Sequence, residues 1–215
     1  SGDWFRFQDL VSVMDSPIAE DAYDRVYYSG QAGGPHITST QAPTTSHFLG
    51  LPKPVASVSA TAIPPVSANL DTETAVSRAY CTTFVTVRGE EGPPSDPTPI
   101  LDVRSDQAII LASGPASGSY VNQRNIAFYR VYRTDANGVF RQVIDISATV
   151  AGLNFTADAV LDSALGEELV SQEWNAPPLN MLGLCSLSNG ICAGFTEQTL
   201  CFSEAYLPHA WPTRY

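Results

Sequence analysis

Residues 78–95, RAYCTTFVTVRGEEGPPS, constrain this chain more than any other stretch. Tyr80, Thr82, Phe84 and Thr86 alternate with Cys81, Thr83, Val85 and Val87. That β-branched and aromatic content predicts one strand buried on at least one face. Gly89, Gly92, Pro93 and Pro94 then forbid further ladder pairing, and Glu90 and Glu91 call for water, so a turn at the surface is expected. A second strand is expected at 127–134, AFYRVYRT, with Phe128, Arg130 and Tyr132 on one face and Tyr129, Val131 and Arg133 on the other. The two strands read as partners, and Phe84 and Val131, at their centres, as core residues.

The rest of the chain follows the same idiom. Sixteen prolines and 15 glycines interrupt it, and no helical periodicity persists beyond about a dozen residues, so short strands and many turns are expected. Residues 3–7 (DWFRF) and 10–14 read as strands, and Ser16-Pro17 as the start of a short helical turn. Residues 25–29 (RVYYS) and 35–40 (PHITST) form a hairpin across the glycine-rich turn 31–35. A Thr-, Ser- and Pro-rich linker follows at 41–53. Residues 55–62 are expected as a strand, 63–77 as a loop, and 100–103 and 108–111 as a strand pair joined by the polar turn 104–107. A Ser-, Gly- and Asn-rich loop at 114–125 precedes the strand of 127–134. Asp135-Ala136-Asn137-Gly138 is a hairpin turn, because Asn-Gly accepts positive φ, and 139–146 is the returning strand. A last strand is expected at 154–157, an acidic, partly helical exit at 158–168, and a second boundary at 171–178 (SQEWNAPP). Residues 182–187, 191–195 and 199–203 then make a three-stranded meander, which cannot bury its own face and reads as one blade of a larger β assembly.

Charge and cysteine usage exclude several functions. Acidic residues outnumber basic ones 22 to 11, a net charge of -11 that opposes binding to a phosphate backbone. Lys53 is the only lysine among the 11 basic residues, and the arginines hint at planar contacts with other proteins. No apolar run approaches the ~18 residues of a membrane span, and no signal-peptide pattern is present. The chain begins at Ser1-Gly2 without methionine and stops in mid-pattern at Tyr215, which reads as a piece of something longer. Cys81, Cys185, Cys192 and Cys201 include no C-x-x-C pair, so buried thiols in apolar strands are expected, and a Cys185–Cys201 disulfide across a hairpin stays open.

No catalytic, cofactor-binding or metal-ligating residue is assigned. His36, His47 and His209 lack a partner at ligand spacing and read as surface or capping residues. Asp158, Asp162, Glu167 and Glu168, with Ser203-Glu204, read as solvated acidic turns rather than a glycosidase pair. Asn154-Phe155-Thr156 matches a glycosylation sequon only weakly. Tyr27, Tyr28, Tyr129 and Tyr132 could line a sugar site, but tyrosines at strand spacing read first as half-buried sheet residues.

Two resemblances sharpen the reading. The Tyr-rich strand leading to G-E-x-x-x-P-S, with Y-R-V-Y-R and a G-x-F hairpin, resembles fibronectin type III-like sandwiches. Here Y-R-V-Y-R comes second rather than first, which implies an immunoglobulin-like sandwich with a different strand order. Across nearly the whole chain, the order DRVYYSG, P-H-I-T, RAYCTTFVTVRGEEGPPS, FYRVYRTD, W-x-x-P-P, NGICAGF and LCFSEAYLPHAWP resembles tail-associated structural proteins of tailed bacteriophages. That resemblance implies a mainly β virion protein of the nozzle or tail tubular kind, at the tail or head-to-tail connection. It implies an N-terminal β segment at 1–50, an immunoglobulin/fibronectin III-like β-sandwich at 51–172, and a C-terminal propeller-like or barrel-like meander at 173–215 that packs with 1–50 or with a neighbour. The expected partners are copies of the chain in a sixfold ring and neighbouring virion proteins, with DNA passing nearby but not bound and no membrane. No cofactor is expected. Arginines would lie at subunit contacts rather than along the lumen. The alternative is a carbohydrate-binding or adhesive β-sandwich module.

Overall fold

The computed structural model describes residues 5–63, 75–104, 107–112, 114, 123–148 and 156–215. The chain is mainly β and is built from several antiparallel sheets, and none of them closes into a barrel among the described residues. The first sheet runs in order through Ser12–Asp15 (β1), Arg25–Ser29 (β2), His36–Ser39 (β3) and His47–Phe48 (β4). All five residues of β2 are buried, so RVYYS is a central strand covered on both faces. Residues 5–7 belong to no strand, and residues 1–4 lie outside the described part. Ser16-Pro17 starts no helix; the Ser16 N–H donates to the Arg25 carbonyl at 3.1 Å and its hydroxyl accepts from the Ile18 N–H at 3.3 Å.

The middle of the chain holds Ser59–Ala62 (β5), Val76–Arg78 (β6), Tyr80–Thr86 (β7), Leu101–Val103 (β8), Ile109–Ala112 (β9), Ile126–Thr134 (β10), Phe140–Ser147 (β11) and Thr156–Asp158 (β12). As the sequence predicts, β7 and β10 are antiparallel neighbours, with Phe84 opposite Tyr129 and Thr82 opposite Val131. β11 continues that sheet, and β5, β9 and β12 form another. Between them, Tyr80 and Val131 from one sheet meet Ile109 and Leu111 from the other, with Val58 and Val103, in one buried cluster. Each such fully buried aliphatic or aromatic side chain contributes ~1.5–3 kcal/mol. Phe84 lies in an adjoining cluster with Leu51, Ile126, Tyr129 and Ala148.

Three expectations differ from the structure. Residues 100–103 and 108–111 do not pair with each other: β8 pairs β6, whereas β9 pairs β5 and β12. Composition marks a turn between them, but not the change of sheet that the turn makes. The expected strand at 55–62 is paired only from Ser59 onward, because Ser57 and Val58 instead bond to β7 through the Thr82 hydroxyl. Most of the predicted loops at 63–77 and 114–125, and residues 154 and 155 of the predicted last strand, lie outside the described residues.

Residues 87–98 differ as well. The chain does turn after β7, at Gly89 with φ of 80°, but it then runs back along the strand. The N–H groups of Gly92, Ser95 and Thr98 donate to the carbonyls of Phe84, Thr82 and Tyr80 at 3.0, 2.9 and 2.8 Å. Pro93, Pro94 and Pro97 occupy the intervening positions, where no ladder donor is needed, so prolines here permit pairing rather than forbid it. All seven residues of β7 are buried as a result.

Leu182–Ser186 (β13), Cys192–Phe195 (β14) and Leu200–Phe202 (β15) form the C-terminal meander in the order the sequence predicts. Its inner face does not stand alone. Met181, Leu184, Cys192 and Trp211 share a core with Met14, Tyr27, Ile37 and Leu49 of the first sheet, and the Leu184 N–H donates to Ser29 Oγ at 3.1 Å. Gly50, at φ of 73°, fits this junction because a Cβ there would come within 2.8 Å of Ala176 Cα and 2.9 Å of the His209 carbonyl.

Candidate interaction surface

Of the carboxylates weighed in the sequence as solvated turns, Glu167 and Glu168 are exposed as expected, whereas Asp158, Asp162 and Glu204 are bound to arginine. Arg133, with none of its side chain exposed, donates to Asp158 Oδ2 at 2.6 Å, to the Val160 carbonyl at 3.0 Å and to Asp162 Oδ1 at 2.7 Å. The Tyr80 hydroxyl donates to the same Asp158 oxygen at 2.7 Å, and burial together with that carboxylate raises the Tyr80 pKa. Glu204 accepts from Arg214 at 2.7 Å. Ser203 is fully buried, its hydroxyl donating to the Glu204 carbonyl and accepting from the Cys192 N–H. Neither Ser203-Glu204 nor the Asp158–Asp162 pair presents a free acid or base.

Glu90 and Glu91 do not reach water as the sequence suggests; both are 7% exposed. Glu91 accepts from Thr83 and Tyr132 at 2.7 Å each and from Arg130 at 3.1 Å, while Arg130 forks onto Asp145 at 2.8 and 2.9 Å. Glu90 accepts from Arg25 of β2 at 3.0 Å and from Thr86 at 3.2 Å. Arg25 also binds Asp21 at 2.6 Å. Burial alone would raise Asp21, but hydrogen bonds from Arg25, Ser16 and the Tyr23 backbone hold its carboxyl at about 2.

Nor do the histidines converge. His36 on β3 stacks on Tyr28 at 5.1 Å, and His47 lies on β4. His209, expected at the surface, is 5% exposed and meets Trp174 edge-on at 5.8 Å. Among the described residues, no group of three or more His, Cys, Asp or Glu side chains could hold a metal ion. Tyr27, Tyr129 and Tyr132 are buried in three separate core clusters and Tyr28 is 5% exposed, so the four do not come together at one sugar site.

All four cysteines are free thiols. Burial pushes Cys81 up to about 12 and Cys192 up to about 11, so neither is nucleophilic near neutral pH. Cys185, expected to be buried, is exposed: the register shift between Leu182 and Cys185 upsets the alternation of β13 and turns the thiol outward. Cys185 pairs Ala193 and Cys201 pairs Gly194, which are successive residues and so face opposite sides of the sheet. The disulfide left open by the sequence is therefore absent.

That same outward side is the candidate surface. Leu182, Phe195 and Leu200 stand directly opposite one another across the three strands, at 47%, 46% and 64% exposure. Cys185, Ala193 and Phe202 form the next cross-strand row, so the face carries no charged side chain. Gly183, at φ of 65°, lets the Phe195 ring lie flat on the strand, because a Cβ there would sit 2.2 Å from the ring. β15 ends the sheet with a free edge. Beside it opens a cleft of about 320 Å³ bounded by Cys201, Trp211, Pro178 and Tyr215. An exposed apolar face next to a strand edge left unpaired among the described residues is a candidate contact surface. Sequence alternation hints at this face through Leu182, Phe195 and Leu200, but the core side of the same strands is equally apolar.

Compared with protein-family models and with curated proteins, the sequence matches none.

Proposed function

We propose that this chain is a structural component of a phage virion, at the tail or head-to-tail connection, working through protein contacts in a ring of like subunits. The observation that carries the reading is the uncharged face of Leu182, Phe195 and Leu200 at the open edge of β15. In an acidic chain of net charge -11, copies that meet through charged surfaces repel, so an uncharged apolar face is the favourable contact. The occupant of the face is the neighbouring copy in the ring, through a head-to-tail contact of the kind that closes when its rotation divides the circle, sixfold by the resemblance in motif order.

The finer architecture belongs to the same proposal. The sheets containing β7 and β9 share a core in the manner of an immunoglobulin-like sandwich, inserted between 1–50 and 173–215, whose residues share another. Arg25, Arg78, Arg130 and Arg133 each pair with a carboxylate of their own chain. Mass spectrometry of purified virions, with imaging of the protein in place, tests the reading. A ring in the particle is expected, and absence from virions or a monomer in the particle overturns it.

A further inference from the structure

A second site lies away from the meander, against the first sheet. Here the extended segment before β1 sets Phe5 and Phe7 on one side of the chain, their rings 21° from parallel and 6.4 Å apart. Phe7 is held from behind by Tyr28, at 4.9 Å between ring centres, and Tyr28 in turn stacks on His36 at 5.1 Å. The two rings border a cavity of about 430 Å³ whose other walls include Arg6, Gln31, Thr44 and Ser46. That volume is in the range of small-molecule sites, roughly 300–1,000 Å³.

The composition of the walls selects the ligand. Two half-buried, nearly parallel aromatic rings offer apolar surface to the C–H face of a sugar ring. Gln31, Thr44 and Ser46 supply amide and hydroxyl groups that both donate and accept, as vicinal hydroxyls require. Among the described residues Arg6 is the only charged one in the walls and no carboxylate lines the cavity, in a chain where carboxylates predominate two to one. A guanidinium in that setting pairs with a carboxylate in a bidentate fork.

We infer that this cavity binds an acidic saccharide, with a pyranose ring on Phe5 and Phe7 and its carboxylate on Arg6. The site is independent of the assembly face and stands whether or not the chain forms a ring.

Titration of the whole chain with oligomers of galacturonic acid, followed by amide chemical shifts, tests the inference. Saturable shifts at Phe5, Phe7 and Thr44 are expected, with dissociation constants of about 1 mM. Arg6→Gln, an exposed position, should weaken binding about tenfold while leaving the spectrum's dispersion intact. Phe5→Ala should weaken it as well, and neutral galactose oligomers should bind less tightly than the acidic ones and be indifferent to Arg6→Gln. The inference is overturned by the absence of saturable shifts, by unchanged affinity in Arg6→Gln, by equal binding of neutral and acidic oligomers, or by benzoate competing as well as the sugar.

Discussion

Arg25 Nη1 donates to Glu90 Oε1 at 3.0 Å, with 9% and 8% of the two side chains exposed. The pair joins β2 of the first sheet to the segment that returns along β7, across 65 residues of sequence. Both ends are otherwise engaged, Arg25 with Asp21 and Glu90 with Thr86, so the bridge has a fixed geometry. Removing one partner of such a pair leaves a buried charge unmatched, at a cost of ~3–5 kcal/mol, whereas replacing both by apolar groups is often nearly neutral. Arg25→Ala should therefore lower stability by that amount in a denaturant melt, and Arg25→Met with Glu90→Leu should recover only the part due to Glu90, because Asp21 stays buried without its cation. Additive losses in the double variant would mean that the two side chains do not act as a pair.

Phe84 gives a plainer test of the core. It is 2% exposed and packs on Tyr129 with ring centres 5.8 Å apart. Phe84→Ala should cost ~3–5 kcal/mol, a large share of a net stability of ~5–15 kcal/mol. A variant that melts like the parent would place Phe84 outside the core.

How far these features were legible in the sequence depends on how local their causes are. The strands at β2, β7 and β10 and the Asp135–Gly138 hairpin were legible, because β-branched content and Asn-Gly chemistry act over a few residues. The burial of Glu90 and Glu91 was not, because their neutralising partners Arg25 and Arg130 lie 65 and 39 residues away. Local composition sees two glutamates beside glycine and proline, and that pattern means solvent unless a distant cation arrives. Strand order was hidden for the same reason: nothing within 100–112 says that β8 and β9 belong to different sheets. The outward turn of Cys185 came from a bulge whose one local mark is Gly183 within the strand pattern. The cavity beside Phe5 and Phe7 escaped because DWFRF reads as a strand, and its polar walls come from loops elsewhere.

Acid should destabilise the fold in two separate windows. Burial lowers the pKa of His209 below its usual 6.5, with Glu90 opposing and Arg25 reinforcing the shift. The folded chain holds this imidazole neutral while the unfolded chain protonates it, so stability falls as pH drops below 6.5 toward the lower folded value. Asp21 acts later: its contribution is complete above the unfolded 3.8 and is lost as pH falls from there to about 2. Melting temperature against pH should show both declines. His209→Gln should flatten the first between about pH 7 and pH 5 and leave the second. Some slope will remain there, because burial also lowers His36. An unchanged first decline in His209→Gln would assign it to other groups.

The meander should not fold by itself. Its inner residues Met181, Leu184, Cys192 and Trp211 are covered by Met14, Tyr27, Ile37 and Leu49, which come from the other end of the chain. Three short strands without that cover leave one face bare, and the opposite face is exposed already. Residues 174–215 alone should be unfolded or aggregated, and mixing with residues 1–50 should restore dispersion. A dispersed proton spectrum from 174–215 alone would show that the shared core is dispensable.

The assembly face predicts a separation of stability from association. Leu200 and Phe195 are 64% and 46% exposed, so a glutamate at either position gives up little burial in the isolated chain. Surface changes of this kind shift stability by only ~0.5 kcal/mol. In a subunit contact the same glutamate would be desolvated against apolar neighbours with no cation to meet it, and Leu182 and Phe202 offer none. Leu200→Glu and Phe195→Glu should thus melt like the parent yet fail to associate, as read by sedimentation at rising concentration and by the loss of rings in imaging. Arg141→Gln, whose guanidinium serves Asp135 and Glu168 within its own chain, should leave association unchanged. Rings that persist in both glutamate variants would move the subunit contact elsewhere on the molecule. Rings lost in all three variants would point to charge rather than to this apolar face as the basis of assembly.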